Sequence, residues 1–178
     1  MQRAENITVA TIALLMLVGV GWLVFVIVNA PAAAPPAAVN QALVPAELPV
    51  DDERRYFPRP VSFTIAGQSW RASIANTLPL RIQGLSNTPF LPLDMVKWFD
   101  FQSYGRHSIW MKDMLYPIDI VWLDREGVVV HIEEAVSPET FPNSFSSPTP
   151  AWYVLEANVG FVASTSLTIG SQVTPPVY

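Results

Sequence analysis

The sequence predicts a mainly β domain of about eight strands, packed as two sheets or closed into a barrel, with one short helical turn and a single transmembrane helix ahead of it. Three observations carry this reading. From Val61 onward, short alternating apolar runs are separated by Gly, Pro, Asn and Asp. Residues 29–58 are rich in Ala and Pro and show neither the strand period nor the helix period. Finally, Ile7–Val28 (ITVATIALLMLVGVGWLVFVIV) has no charge and spans about 33 Å as a helix, against roughly 30 Å of hydrocarbon. The expected organisation is a cytoplasmic N-terminus at 1–6, a membrane span at 7–28, a linker at 29–58 and a β domain at 59–178.

The apolar run is longer than the core of a cleaved signal peptide, and Pro31 directly after Val28-Asn29-Ala30 opposes cutting there. An uncleaved anchor is expected, cleavage and secretion being the alternative. Arg3 precedes the span and the acids Glu47, Asp51, Asp52 and Glu53 follow it, so the body should lie outside the cytoplasmic membrane. The Ala/Pro segment then reads as a semi-rigid tether.

Within the β domain, VSFTIA-GQS-WRASIA is a hairpin, with Val61, Phe63 and Ile65 on one face and Trp70, Ala72 and Ile74 on the matching face. TLPLRIQGLS should contain a helical turn entered through Asn76 or Thr77, with Pro79 in its first turn and Gly84 closing it. Further strands are expected at 95–101, 107–112, 117–124, 127–134, 151–158 and 169–174. Between them, Ala135–Ala151 is a long loop whose prolines and Phe141 and Phe145 suggest an ordered flap.

Composition removes several function classes. There is no cysteine, hence no disulfide frame, thiolate metal site or cysteine nucleophile. The net charge of −5 and the lack of any Lys/Arg run disfavour nucleic acid. His107 and His131 are the only histidines and stand in no metal-ligand spacing, so neither metal nor cofactor is expected. No nucleophile elbow or phosphate loop occurs.

Charge inside apolar strands marks the candidate site. In IDIVWLDREGVVVHIEE, a three-residue Arg125-Glu126-Gly127 connection with Gly127 left-handed pairs Trp122 with Val130, Val121 with His131, Ile120 with Ile132 and Asp119 with Glu133. Ile118, Ile120, Trp122, Val128, Val130 and Ile132 then form a wholly apolar face. The other face brings two carboxylates opposite one another, an arrangement that calls for a cation, a shared proton or water. Lys112 on the preceding strand, with Asp119, Glu133 and His131, would form a structural ion pair, a ligand clamp or an acid–base site. Glu156, in the alternating run YVLEANVG, is either a solvated strand carboxylate or a further member of that cluster. Trp110 is among several aromatics able to stack on a ligand.

The ordered series IWMKDMLYPIDIVWLDREGVVVHI, VSPETFP, PAWYVLEANVGF and LTIGSQV resembles the domain of unknown function 192 family, over about Val61 to Val173. The pattern is matched at Gly84, Leu85, Trp110, Met111, Lys112, Asp113, Pro117, Asp119, Gly127, Tyr153, Leu155, Glu156, Gly160 and Gly170. Ser86, Asp94 and Lys97 depart from it. The resemblance implies a sandwich or jelly-roll-like fold in prokaryotic, often exported, proteins, and implies no biochemical activity.

Together these readings predict a membrane-anchored extracytoplasmic domain that binds a small ligand or envelope component through Lys112, Asp119, Glu133, Glu156, His131 and Trp110. The lipid bilayer, through residues 7–28, is the other expected partner. The alternatives are a hydrolase using Asp119 with Glu133 or Glu156, and a structural or adaptor domain of a membrane complex.

Overall fold

A computed structural model describes residues 50–178. The expected membrane span and most of the expected linker lie outside the described residues. Among the described residues, no helix is long and apolar enough to cross a membrane.

The end of the expected linker belongs to the folded unit: Val50–Tyr56 is a helix, α1, and Phe57 directly after it is buried in the core. Its Glu53 accepts from Arg71, whose guanidinium also grips the Asp94 carboxylate through Nε at 2.7 Å and Nη2 at 2.6 Å. This hydrogen-bonded pairing lowers the pKa of Asp94 from its usual carboxylate value.

The first hairpin forms with the expected faces matched. Strand β1 (Val61–Ile65) pairs with β2 (Gln68–Ala75), with Val61 opposite Ala72 and Phe63 opposite Trp70. Ala66 and Gly67 turn the chain with φ of 50° and 77°, the left-handed geometry whose twist suits a two-residue hairpin. Helix α2 (Leu78–Gln83) starts after Thr77, carries Pro79 in its first turn and ends at Gly84, which adopts φ 51° and ψ −123°. The next strands are β3 (Met95–Gly105), β4 (Ile109–Trp110), β5 (Ile118–Leu123) and β6 (Val129–Val136). The flap contains a 3-10 turn at Pro138–Thr140 and strand β7 (Ser144–Phe145), and the chain closes with β8 (Ala151–Asn158) and helix α3 (Phe161–Thr165).

The expected packing as two sheets or a barrel resolves as one principal sheet and a small ribbon. Six strands join in one mixed sheet, ordered β1-β2-β3-β8-β5-β6, while β4 and β7 form a separate ribbon. All neighbours in the sheet are antiparallel except β2 and β3. The reason lies in β5 and β8, which carry large apolar side chains on both sides, beside one buried acid each, and must be covered on both. One face, with Phe99, Ile118, Ile120, Trp122 and Val154, packs under Phe57, Leu85, Leu91, Ile109, Met111 and Met114. The opposite face, with Trp98, Val121, Leu123 and Leu155, packs under Phe161, Val162, Leu167 and Val173. The strand expected at 169–174 is replaced by a bridge between Gln172 and Val128, and that expected at 107–112 shrinks to two residues.

The β5–β6 hairpin follows the expected register only next to its turn. Gly127 has φ 85°, Asp124 N–H donates to Val128 O at 2.9 Å, and Leu123 faces Val129. Beyond this a bulge at Val130 absorbs one residue, so Trp122 faces His131, Val121 faces Ile132 and Ile120 faces Glu133. A second irregularity, where Ala135 takes φ 52°, puts Ile118 opposite Val136. A single-residue slip reverses the faces, so Ile132 moves to the second core and the expected Asp119–Glu133 pair does not form.

Candidate functional site

The six expected site residues separate into three places. Asp119 is 1% exposed and faces the second core, opposite Ala157. Its Oδ1 accepts from Ala135 N–H at 2.9 Å, and its Oδ2 from Gly160 N–H at 3.0 Å and Val162 N–H at 3.1 Å. It thereby stitches the irregular end of β6 and the entry of α3 to the sheet. Three backbone donors occupy three of its roughly four lone-pair sites, and the carboxylate has a structural task.

His131 and Glu133 lie together on β6, with the imidazole Nε2 and Glu133 Oε1 2.9 Å apart and the ring tilted against Trp122. Lys112 sits in the turn after β4, exposed, with Nζ 5.7 Å from the Trp110 ring centre. The expected convergence of Lys112 with Asp119 is absent: Lys112 belongs with Trp110 instead.

Trp110 and Glu156 share the third place, a pocket of about 300 Å³ on the first face of the sheet. Its walls are α2 and the following turn (Leu78, Arg81, Ile82, Gly84, Leu85), Phe99 and Phe101 of β3, Ile109 and Trp110 of β4, and Met114. Strand alternation sets the floor. Because Leu155 points into the second core, Glu156 points into the first, and burial of both faces leaves it 4% exposed rather than solvated. Across the sheet it lies between Lys97 of β3 and Ile120 of β5.

Glu156 differs from Asp119 in having no hydrogen bond from its side chain to any other described residue, and its Oε2 is buried without a partner. Burial pushes its pKa up to about 8, Lys97 pulling it back in part, so at neutral pH it is chiefly a neutral acid. Lys97, 6% exposed, is itself lowered by burial, Glu156 partly opposing that, and its Nζ donates to Ser73 Oγ at 3.2 Å. Nearby, burial lifts Tyr116 to about 12, the Thr88 hydroxyl at 2.7 Å pulling it down and Glu156 adding to the rise.

Gly84 shapes the space beside the acid. A Cβ there would stand 3.7 Å from Glu156 Oε2 and 3.2 Å from the Phe99 ring, and its positive φ disfavours any other residue. At the wall, Arg81 Nη1 donates to Asn76 O at 3.1 Å and Asp100 O at 2.9 Å, while its guanidinium lies 5.4 Å from the Phe101 ring centre. Leu78, Ile82 and Trp110 are exposed around the mouth, and Phe141 of the flap meets Trp110 edge-on at 6.2 Å. The pocket is thus mainly apolar, with one carboxyl at its floor, Gln83, Ser86 and Ser108 also in its lining, and basic groups towards its rim. Among the described residues no three acidic or imidazole groups converge in the manner of a metal site.

Lys97, Arg81, Phe99 and Phe101 were not among the expected site residues. The one signal for them was a lysine inside the apolar run MVKWF, readable as a charge that the fold must bury or pair.

Two solved structures share the fold. One, from Sinorhizobium meliloti 1021 and provisionally named a transcription regulator, is 25% identical, with a TM-score of 0.59 over 66% of this chain and 92% of its own. The other, a protein of unknown function from Novosphingobium aromaticivorans DSM 12444, is 24% identical, with a TM-score of 0.59 over 65% of this chain and 84% of its own. No curated protein matches the chain. The family model DUF192, described as an uncharacterized ACR, matches residues 61–175, and the chain belongs to that family.

Proposed function

We propose that this domain is a small-ligand receptor whose binding site is the pocket floored by Glu156. The supporting observation is the unpartnered, buried Oε2 of that residue at the base of an apolar pocket. Leaving a buried polar atom unpaired costs on the order of 1–3 kcal/mol, and a ligand group that supplied the missing hydrogen bond would recover it. Trp110, with Lys112 over its ring, forms the rim that receives the rest of the ligand. Asp119 serves the scaffold in this reading, and His131 and Glu133 stand outside the pocket. The uncharged run Ile7–Val28 and the acids that follow it support tethering to the outer face of the cytoplasmic membrane, which would give the pocket access to envelope components.

A hydrolytic reading has less support. Asp119 and Glu156 occupy opposite faces of the sheet, and Glu156 is the single carboxyl lining the pocket. An acid–base pair needs two groups in one cleft.

Thermal-shift screening of the full chain in detergent against small amphiphiles and peptides tests the receptor reading. Hits should vanish in Glu156→Leu, weaken in Trp110→Ala and persist in Asn143→Ala, an exposed flap position. Equal hits for Glu156→Leu and the parent would remove Glu156 from the site.

A further inference from the structure

The groups around Glu156 limit which head group it can receive, on the receptor reading above. A cation entering the pocket meets one carboxyl but also Lys97 beside that carboxyl, Arg81 in the wall and Lys112 at Trp110. Among the described residues no second acid lines the pocket to offset them. An anion would find Arg81 Nη1 already bonded to two carbonyls and Lys97 bonded to Ser73. At the floor it would meet Glu156 beside the apolar Leu85, Phe99, Ile109 and Met114, the polar Gln83, Ser86 and Ser108 also lining the pocket. A desolvated charge of either sign is therefore poorly matched at the floor beside Glu156: a cation is opposed by the basic groups, and an anion meets a carboxyl set among apolar walls.

A neutral group that both donates and accepts does fit. A carboxyl group presents a hydroxyl and a carbonyl side by side, and a carboxamide presents N–H and C=O along one planar edge, so the two can form parallel hydrogen bonds. The missing Cβ of Gly84 keeps a side-chain atom from standing 3.7 Å from the buried Oε2, on the side where a flat group would have to come in. The exposed Leu78, Ile82 and Trp110 around the mouth offer an apolar path for whatever the amide carries. We infer that this pocket recognises neutral carboxamides borne on an apolar chain, with the amide edge on Glu156 and the chain lying towards Leu78, Ile82 and Trp110.

Three probes with the same six-carbon chain isolate the head group: hexanamide, hexanoate and hexylamine. Each is titrated into the full chain in nanodiscs, following the methyl resonances of Ile109 and Met114. Hexanamide should shift both methyls saturably, with affinity at least about tenfold above the two charged probes. Glu156→Leu should weaken it about tenfold, and Glu156→Gln, which keeps a donor and an acceptor, by less than about threefold. Hexylamine or hexanoate shifting those methyls at equal or lower concentration would overturn the carboxamide assignment while leaving the pocket as a binding site. Hexanamide binding unchanged in Glu156→Leu would overturn the contact with Glu156. Silence of both methyls towards all three probes would overturn the receptor reading, and this inference with it.

Discussion

The two faces of the sheet each bury a carboxyl group one or two residues from a strand centre, and they use it in opposite ways. Asp119, on the face covered by α3, has both oxygens engaged by three backbone N–H groups. Glu156, on the face covered by α2 and the β4–β7 ribbon, has a buried oxygen with no partner. A fully paired buried carboxylate holds structure in place, whereas an unpaired one is tolerated where something outside the fold can complete it. Burial alone does not tell these cases apart; the hydrogen-bond count does.

The contrast is broken most severely by Asp119→Ala, which leaves three backbone donors facing an apolar core. Urea denaturation of the full chain in detergent should show a loss of about 4 kcal/mol, with the Ala135 and Gly160 amides losing exchange protection. A loss below about 1 kcal/mol would mean that water replaces the carboxylate, and the distinction between the faces would fall.

Glu156 should respond to pH instead. Its pKa of about 8 in the folded chain lies above the ordinary 4.5, so between these values the native state holds a proton that the unfolded chain has released. Stability then falls as pH rises through that window, by on the order of 1 kcal/mol per unit, and levels off above it. Lys97, lowered from 10.5, contributes the opposite slope in a more alkaline window. Tyr116, raised to about 12, stays protonated throughout the acid-to-neutral range. Urea midpoints between pH 5 and 8.5 should show the decline in the parent and a flat profile in Glu156→Gln.

Gly84→Ala sharpens the comparison at the pocket. The strained backbone and the contact with the Phe99 ring should lower stability by about 2 kcal/mol, and the added methyl group should block approach to Glu156 Oε2. Hexanamide titration and urea midpoints together test both effects. Lys112→Ala is expected to be the mildest change, within about 0.5 kcal/mol in stability, because its exposed ammonium lies over the Trp110 ring and makes no ion pair among the described residues. A larger loss by the same urea assay would show that the lysine is tied into the fold.

Local chemistry made much of the fold legible. The Ala66-Gly67 turn, the Thr77–Gly84 helical turn with Pro79 inside it, and the left-handed Gly127 all follow from residues that admit few other conformations. What escaped was non-local. Nothing near Val130 announces a bulge, because a β-branched residue there fits a regular strand equally well; one inserted residue then reversed the expected faces of His131, Ile132 and Glu133. Alternation did place Leu155 and Glu156 on opposite sides of β8, but whether the second side meets water depends on α2 and the flap folding over it. For the same reason Lys97 read as an interruption of a strand rather than as the neighbour of Glu156, since the pairing of β3 with β8 joins segments far apart in the sequence.

The position of β8 has a consequence for how the domain comes into being. It is the last strand in the chain and yet lies between β3 and β5, bonding to both. Until residues 151–158 have emerged from the ribosome, or from any translocation channel, those two strands present bare edges, and neither buried face can be completed. Assembly must therefore be late and cooperative, and a chain halted before β8 would expose paired-strand edges ready to join another copy. The same strand that carries Glu156 into the pocket decides when the domain stops being an aggregation hazard.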